Sequence, residues 1–379
     1  MLDFLNLKPD VFGLDISDLS LKIIKLKKKR GRLALVSFGE EEIKPGIIKE
    51  GEIKNEEKLA ETIRTAVSKV KGEKLRTKYV IASLPEEKAF LQVIQTPKMA
   101  EEDLKSAMVY EAENYIPLPI EEVYLDCQIV PPVVNGLDHL DVLLAALPKK
   151  TVDPYLSVLK RAGLQPIALE IESLAIARAL IKKELSSFPI LLIDLGATRT
   201  SFIIFAGHSL RFTFSIPVSS RNFNELISKN LGVSLLEAER LKIKHGLEEK
   251  VRLKIKDEKT KIKKERGKIF EALVPALVDL VQQIKKHLEY YQSYASHEHL
   301  PPDGRGVAKI LLCGGGANLK GLIELLALEL KIPVERGNPW VNILPEDQKE
   351  TMDLPFEKSL GYTTALGLAL RGIEADKRG

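Results

Sequence analysis

Cysteine and histidine are scarce in this chain. Its two cysteines, Cys127 and Cys313, lie far apart and follow no metal-ligand spacing, which points to a reduced, cytoplasmic setting. None of the six histidines forms an i, i+4 pair, so a histidine-ligated metal is not expected. Apolar runs stay well short of the ~18 residues that suggest a membrane-spanning helix. The opening stretch Met1–Leu7 is too short and too acidic for an export signal. Neither sign of charge dominates: 57 basic residues face 53 acidic ones, for a net charge of +4. The basic runs 25–32 and 254–268 lack interleaved aromatics, and the second alternates with acids, so solvated edges or turns are expected ahead of a nucleic-acid patch. Attraction of the first run to anionic lipid headgroups stays open. What the chain does have is length and apolar content, 379 residues at 45% apolar, enough for two domains with a core each.

Apolar stretches predict strands at 21–26 and 33–38, turned by Lys29-Arg30-Gly31. The spacing of Leu59, Ile63, Val67 and Val70 predicts a helix over 56–70. A strand at 79–84 leads into a compact β-α-β-β-α unit reaching to about residue 168. It comprises strand 90–95, helix 101–114, strands 123–130 and 140–147, and helix 153–162, with a proline-rich joint at Ile116-Pro117-Leu118-Pro119-Ile120. A small-residue helix is expected at 173–183, helices at 221–231 and 234–245, and a long helix over 269–296. A buried strand at 309–313 runs into Gly314-Gly315-Gly316, and a second small-residue helix closes the chain at 359–371. Alternating hairpins and helices argue for an α/β fold with two pseudo-repeated halves.

One signature occurs twice. It reads Phe12-Gly13-Leu14-Asp15-Ile16-Ser17-Asp18-Leu19-Ser20-Leu21-Lys22 near the N-terminus and Leu192-Ile193-Asp194-Leu195-Gly196-Ala197-Thr198-Arg199-Thr200 in mid-chain. Each is an apolar strand that ends on Asp, turns on small residues and resumes as a strand carrying hydroxyls. A strand-end Asp suits the water shell of Mg²⁺, which touches protein through one or two carboxylates. Small residues after it let backbone N–H groups approach phosphate oxygens, and Lys22 could reach them as a point charge. A single such hairpin is a common turn. The glycine-rich junction at 314–316 adds helix-start N–H groups that favour phosphate or a nearby purine, although tight helix–strand packing explains such glycines equally. Two small-residue ridges, Gly361/Ala365/Ala369 and Ala175/Ala179, suit closely crossing helices of the kind a hinge needs. Taken in this order, the four elements are specific.

That order resembles the actin, Hsp70 and sugar-kinase superfamily, and within it the chain is similar to the PilM family of type IV pilus assembly proteins, itself similar to the division protein FtsA. The resemblance covers essentially the whole chain. It rests most on Ala107-Met108-Val109-Tyr110-Glu111-Ala112-Glu113-Asn114-Tyr115-Ile116-Pro117-Leu118-Pro119-Ile120-Glu121-Glu122-Val123 with Asp126, on Arg161–Leu164 with Glu172–Ala175, on Asn338-Pro339-Trp340, and on Leu366–Gly372. It implies an actin-like (ribonuclease H-like, duplicated) two-lobed α/β fold with an FtsA-type extra subdomain. Lobe I would span 1–190 with the subdomain at about 78–168, lobe II 191–355, and a helix at 356–379 would return to lobe I. It also implies ATP with Mg²⁺ in a cleft between the lobes. Asp15, Ser17, Ser20 and Lys22 would face the phosphates from one side, and Asp194, Gly196, Ala197 and Thr198 from the other. Glu239 and Lys242 would meet ribose and adenine, Gly314, Gly315 and Gly316 would flank the nucleotide, and Asp15 and Asp194 would hold Mg²⁺ through water. Glu172 matches a carboxylate near the attacking water, and reads equally as a helix-start carboxylate favoured by the dipole.

The resemblance further implies a partner: the short cytoplasmic N-terminal segment of an inner-membrane PilN-like protein, in a groove involving Tyr115, Ile116, Pro117, Leu118 and Ile120. Those residues read equally as a plug of the core beneath a loop. The expected role is a cytoplasmic ATP-binding adaptor, reaching the inner membrane only through its partner, with slow or absent hydrolysis. Homo-oligomers and other pilus motor components stay open as partners, and no nucleic acid is expected. An FtsA-like filament-forming ATPase or a small-molecule kinase is the alternative. The first hairpin departs from its relatives, which carry Gly two residues after the Asp, where this chain has Ser17 and then Asp18. A side chain at positive φ would cost ~1 kcal/mol or more. A carboxylate near 4 Å from phosphate would oppose binding by up to ~4 kcal/mol before screening, unless it points away.

Overall fold

The structure is a computed structural model that describes residues 9–29, 31–133, 138–247, 261–294, 306–345, 348, 351 and 353–374. Its contacts group into two units, Met1–Leu185 with His208–Thr213 and Asn338–Gly379, and Ser186–Gly207 with Phe214–Gly337. The return to the first unit thus begins at Asn338, ahead of the expected residue 356. The reason is Trp340, fully buried with Ile343 and Leu354 in a core shared with Ile24, Phe38 and Tyr362.

In the first unit β1 (Phe12–Ile16), β2 (Ser20–Lys29) and β3 (Arg32–Glu42) form an antiparallel meander. The short pair β4 (Ile48–Lys49) and β5 (Glu52–Ile53) precedes α1 (Glu56–Ser68) and β6 (Lys71–Gly72), and β7 (Tyr79–Leu84) follows. A separate three-stranded antiparallel sheet contains β8 (Phe90–Pro97) and, after α2 (Glu101–Ala112), β9 (Val123–Val130) and β10 (His139–Pro148), in the order β8-β10-β9. Then come α3 (Lys149–Arg161), β11 (Gln165–Ile171) and α4 (Glu172–Leu180). The main sheet runs β11-β7-β1-β2-β3-β6, with β7 parallel to both β1 and β11. So β7, α3 and β11, placed by sequence in the stretch 78–168, belong with the main sheet. Tyr155, Val158 and Leu159 of α3 bury against Leu14, Ile23 and Leu59. The small sheet keeps cores of its own, Ile94/Leu104/Met108/Val142 and Ala112/Ile116/Val123/Leu144/Ala146.

Alternation along β1 explains the layering. Leu14 pairs with Ile23 and faces the α1/α3 core, whereas Gly13, paired with Ile24, faces the opposite helix layer. A Cβ on Gly13 would lie 2.5 Å from the Ala365 carbonyl oxygen and 2.7 Å from the Ala369 nitrogen, so only glycine lets that helix approach.

The second unit repeats the plan. β12 (Ser186–Leu195) is antiparallel to β13 (Thr200–Gly207), which β14 (Ser209–Ile216) follows. Helices α5 (Ser220–Leu231), α6 (Leu235–His245) and α7 (Lys261–Tyr294) come next, then β15 (Lys309–Cys313), α8 (Leu322–Leu330) and β16 (Val334–Arg336). The sheet order is β14-β13-β12-β15-β16, with β15 parallel to β12. A hairpin strand flanked by a parallel strand thus occurs in both units, as β2-β1-β7 and as β13-β12-β15. The long helix starts at Lys261, earlier than the expected 269, and its expected end at 296 lies outside the described residues, as do residues 254–260 of the second basic run.

The chain ends in the first unit with α9 (Phe356–Ser359) and α10 (Thr363–Glu374). The two small-residue helices meet each other there: a Cβ on Gly367 of α10 would sit 1.8 Å from the Ala175 carbonyl oxygen of α4. The ridge at Ala365 and Ala369 is turned to Gly13 of β1.

Candidate nucleotide site and partner surface

The β1–β2 hairpin presents Asp15 at the end of its first strand, 6% exposed and paired in register with Lys22. Ser83 of the parallel neighbour β7 donates its hydroxyl to the Asp15 carboxylate at 3.1 Å and accepts the Ile16 N–H at 2.8 Å. Burial raises the Asp15 pKa, while the Lys22 charge and the Ser83 bond pull it down. A buried carboxylate of this kind is stabilised by a nearby cation. Lys22 donates to Ser20 Oγ at 2.8 Å, Ser17 and Ser20 hydroxyls share a bond of 3.0 Å, and Ser17 N–H closes the turn on Ser20 O at 3.0 Å.

The backbone penalty expected from the unusual turn is absent, and the Asp18 carboxylate is engaged by backbone N–H groups. Ser17 is not among the described residues with positive φ. Asp18 is 8% exposed, and its carboxylate accepts the N–H groups of Glu50 at 3.1 Å and Gly51 at 3.0 Å. Those two residues form the β4–β5 turn with φ of 52° and 72°. Two successive positive-φ residues suit a two-residue hairpin, and Asp18 satisfies the amides that such a turn presents. Its partners lie 32 and 33 residues away, beyond any local signal.

Tyr155 was read only as part of a helix, and no local motif marks it. It donates to Gly51 O at 3.0 Å and is 1% exposed. Burial, with the charges of Glu172, Asp18 and Asp15, pushes its phenol pKa up. Glu172, first residue of α4, accepts the Glu86 N–H at 3.5 Å and is half-buried.

In the second unit, Gly196 N–H bonds Arg199 O at 2.9 Å to close the β12–β13 turn. The start of α5 grips this turn from outside: Ser220 N–H donates to Gly196 O at 3.0 Å and Arg221 N–H to Ala197 O at 3.1 Å. Thr200 adds a hydroxyl bond to Val218 O at 2.7 Å. Asp194 is half-buried beside Cys313, whose thiol lies 3.8 Å from its carboxylate. Of the junction glycines, Gly314 has φ of 80° and leaves no room for a Cβ beside Asp194, while Gly316 packs on Leu195. Gly315 is exposed, and a side chain there would meet open space. Glu239 is exposed on α6. Lys242 turns inward, 6% exposed, and donates to Ser220 O at 3.0 Å and Ser220 Oγ at 2.6 Å. Burial lowers its pKa to about 8, opposed by the charge of Glu239.

The proline-rich joint closes the small sheet. Ile116 is 5% exposed inside that core, and Leu118 and Ile120 pack against its edge. Tyr115 and Pro117 are exposed. Sequence reading passed over three further apolar side chains exposed on the same subdomain: Val109 and Tyr110 of α2 and Tyr124 of β9.

The family model described as "Type IV pilus assembly protein PilM" matches residues 13–373. Among solved structures, the chain is similar to one titled "PilM-PilN type IV pilus biogenesis complex", at 28% identity and a TM-score of 0.75, over 96% of this chain and 99% of that one. It is also similar in fold to MreB 5 of Spiroplasma citri bound to AMPPNP, at 14% identity and a TM-score of 0.54, over 98% of each chain. The cell division protein FtsA of Pseudomonas aeruginosa is 23% identical over 229 residues, 58% of this chain and 51% of the relative, about half that protein's length. The duplicated hairpin plan is therefore the actin-like α/β fold. The chain belongs to the family of type IV pilus assembly proteins PilM.

Proposed function

We propose that this protein is an ATP-binding adaptor of type IV pilus assembly that docks the cytoplasmic N-terminal segment of a PilN-like inner-membrane protein. The observation that carries the reading is the likeness, over nearly the whole chain, to a structure of a PilM–PilN complex. No described helix is long and apolar enough to cross a membrane, so contact with the inner membrane runs through the partner in this reading. The apolar contact would come from exposed aromatics of the three-stranded subdomain, Tyr110 and Tyr115, with Ile116 shaping the joint from beneath. Extended peptides are held well by such stiff, aromatic-lined surfaces.

Each unit carries a hairpin suited to phosphate. Asp15, Ser17, Ser20 and Lys22 supply a carboxylate, hydroxyls and a cation in the first. Asp194, Gly196, Ala197 and Thr198 supply a carboxylate and small turn residues in the second, with Gly314 to Gly316 beside Asp194. Among the described residues no group of three or more His, Cys, Asp or Glu side chains could hold a metal ion. A single strand-end carboxylate of the kind each hairpin carries suits Mg²⁺, which takes one or two carboxylates and keeps waters and phosphate oxygens for the rest. Magnesium would neutralise phosphate charge. Glu172 is the candidate to orient water, and slow turnover at most is expected.

The test is size-exclusion chromatography of this chain with the cytoplasmic segment of the PilN-like protein in Mg-ATP. Co-elution as a stoichiometric complex is expected. Separate elution at concentrations well above micromolar would overturn the adaptor reading.

A further inference from the structure

We infer that Lys242 is a positioning residue for the β12–β13 turn, acting through Ser220 to hold its carbonyls away from an anionic ligand. The inference rests on the nucleotide reading above and adds a role to a residue that the resemblance places at ribose or adenine. Its geometry lies wholly within the second unit. Lys242 projects from α6 into the start of α5, and both hydrogen bonds described for it go to one residue, Ser220 O at 3.0 Å and Ser220 Oγ at 2.6 Å. Ser220 is also the residue whose N–H takes the Gly196 carbonyl, and Arg221 beside it takes that of Ala197. One ammonium therefore fixes the backbone segment that fixes the turn.

Chemistry gives this chain of contacts a purpose. A turn can present carbonyl oxygens or N–H groups to a ligand, and carbonyls facing phosphate would repel it. With the Gly196 and Ala197 carbonyls committed to α5, the turn is left with N–H groups to offer an anion. Packing alone does not call for an amine here. At 6% exposure an ammonium is costly to bury unless its hydrogen bonds are made, and an apolar side chain of similar length would fill the space without that cost. A buried lysine whose bonds all converge on a loop anchor is therefore a functional choice.

The direct readout needs no nucleotide. Amide hydrogen exchange across residues 194–200 is measured in wild type, Lys242→Met and Lys242→Arg. Exchange about tenfold faster in Lys242→Met, with Lys242→Arg close to wild type, is expected from losing a charged hydrogen bond to the anchor. Unchanged exchange in Lys242→Met overturns the inference, whatever the protein binds.

The second readout is titration with a fluorescent ATP analogue for Lys242→Met, Ser220→Ala and the double variant. Lys242→Met should weaken binding about tenfold and Ser220→Ala less, because the bonds from Lys242 to Ser220 O and from Ser220 N–H to Gly196 O survive loss of the hydroxyl, and the double should bind no worse than Lys242→Met within about twofold. Weakened binding by Lys242→Met with exchange across 194–200 unchanged would mean direct ligand contact and overturn the inference. Faster exchange in Lys242→Met together with no nucleotide binding by wild type would remove the nucleotide reading and the ligand half of this one. It would leave the anchor itself demonstrated.

Discussion

Asp18 shows how a side chain can have a structural use that its sequence neighbours do not reveal. Beside a phosphate hairpin it reads as a repulsive charge, yet it accepts two backbone N–H groups from the Glu50–Gly51 turn. Asp18→Ala leaves both amides without this acceptor and should cost about 2–4 kcal/mol, lowering the thermal midpoint by roughly 5 °C or more. A midpoint within about 1 °C of wild type would show that the turn holds without it. Lys242 gives a pH signature. Its folded pKa is about 8 against an ordinary 10.5. Between those values the unfolded chain binds the proton and the folded chain does not, so this residue makes stability rise with pH, by up to about 3 kcal/mol across the window. Below pH 8 both states carry the proton and its contribution is flat. Urea midpoints at pH 7.5 and pH 10 should therefore differ less, in the direction of lost stabilisation at pH 10, for Lys242→Met than for wild type.

At the scale of elements, the crossing of α4 and α10 holds the first unit's outer layer to its sheet. Arg178 of α4 makes a bidentate pair with buried Glu170 at 2.7 and 2.9 Å, and Arg371 of α10 reaches the same carboxylate at 3.3 Å. The contact beneath them depends on Gly367. Gly367→Ala places a methyl 1.8 Å from the Ala175 carbonyl, where backbone must move, and should destabilise by about 3 kcal/mol. Alanine at Gly315, where open space awaits, is the matched control and should change stability little. Calorimetry of the two variants checks the contrast. The small-residue ridges at 175–179 and 361–369 were legible in the sequence. Their partners were not, because periodicity reveals a face and not what covers it. The same limit explains β7, α3 and β11, whose parallel pairing and distant core contacts join segments more than 60 residues apart.

Across the whole molecule, the legible part was the repeat. Two Asp hairpins and a glycine junction marked out β1–β2, β12–β13 and the turn after β15, and the strands and helices formed close to where spacing placed them. The boundaries were less legible, since the chain returns to the first unit at Asn338 through the burial of Trp340 and Ile343 and the bonds of Asn342 to Arg178 O and Ile181 O, none of which is a local signal. The candidate nucleotide residues were named from the sequence, whereas Ser83 and Ser220, which bond Asp15 and the Gly196 carbonyl, carry no local motif. Of the residues proposed for the partner groove, Ile116 is buried in the subdomain core, whereas Tyr115 is exposed, a difference that sequence position alone does not show.

The central claim, that this subdomain receives a membrane protein's tail, is tested most directly by titrating a labelled peptide. The peptide copies the cytoplasmic N-terminus of the PilN-like protein, and Mg-ATP is present throughout. The account predicts saturable binding that weakens about tenfold in Tyr115→Ala, the loss of one exposed aromatic anchor. Absence of saturable binding, or an affinity indifferent to Tyr110 and Tyr115 alike, would contradict it.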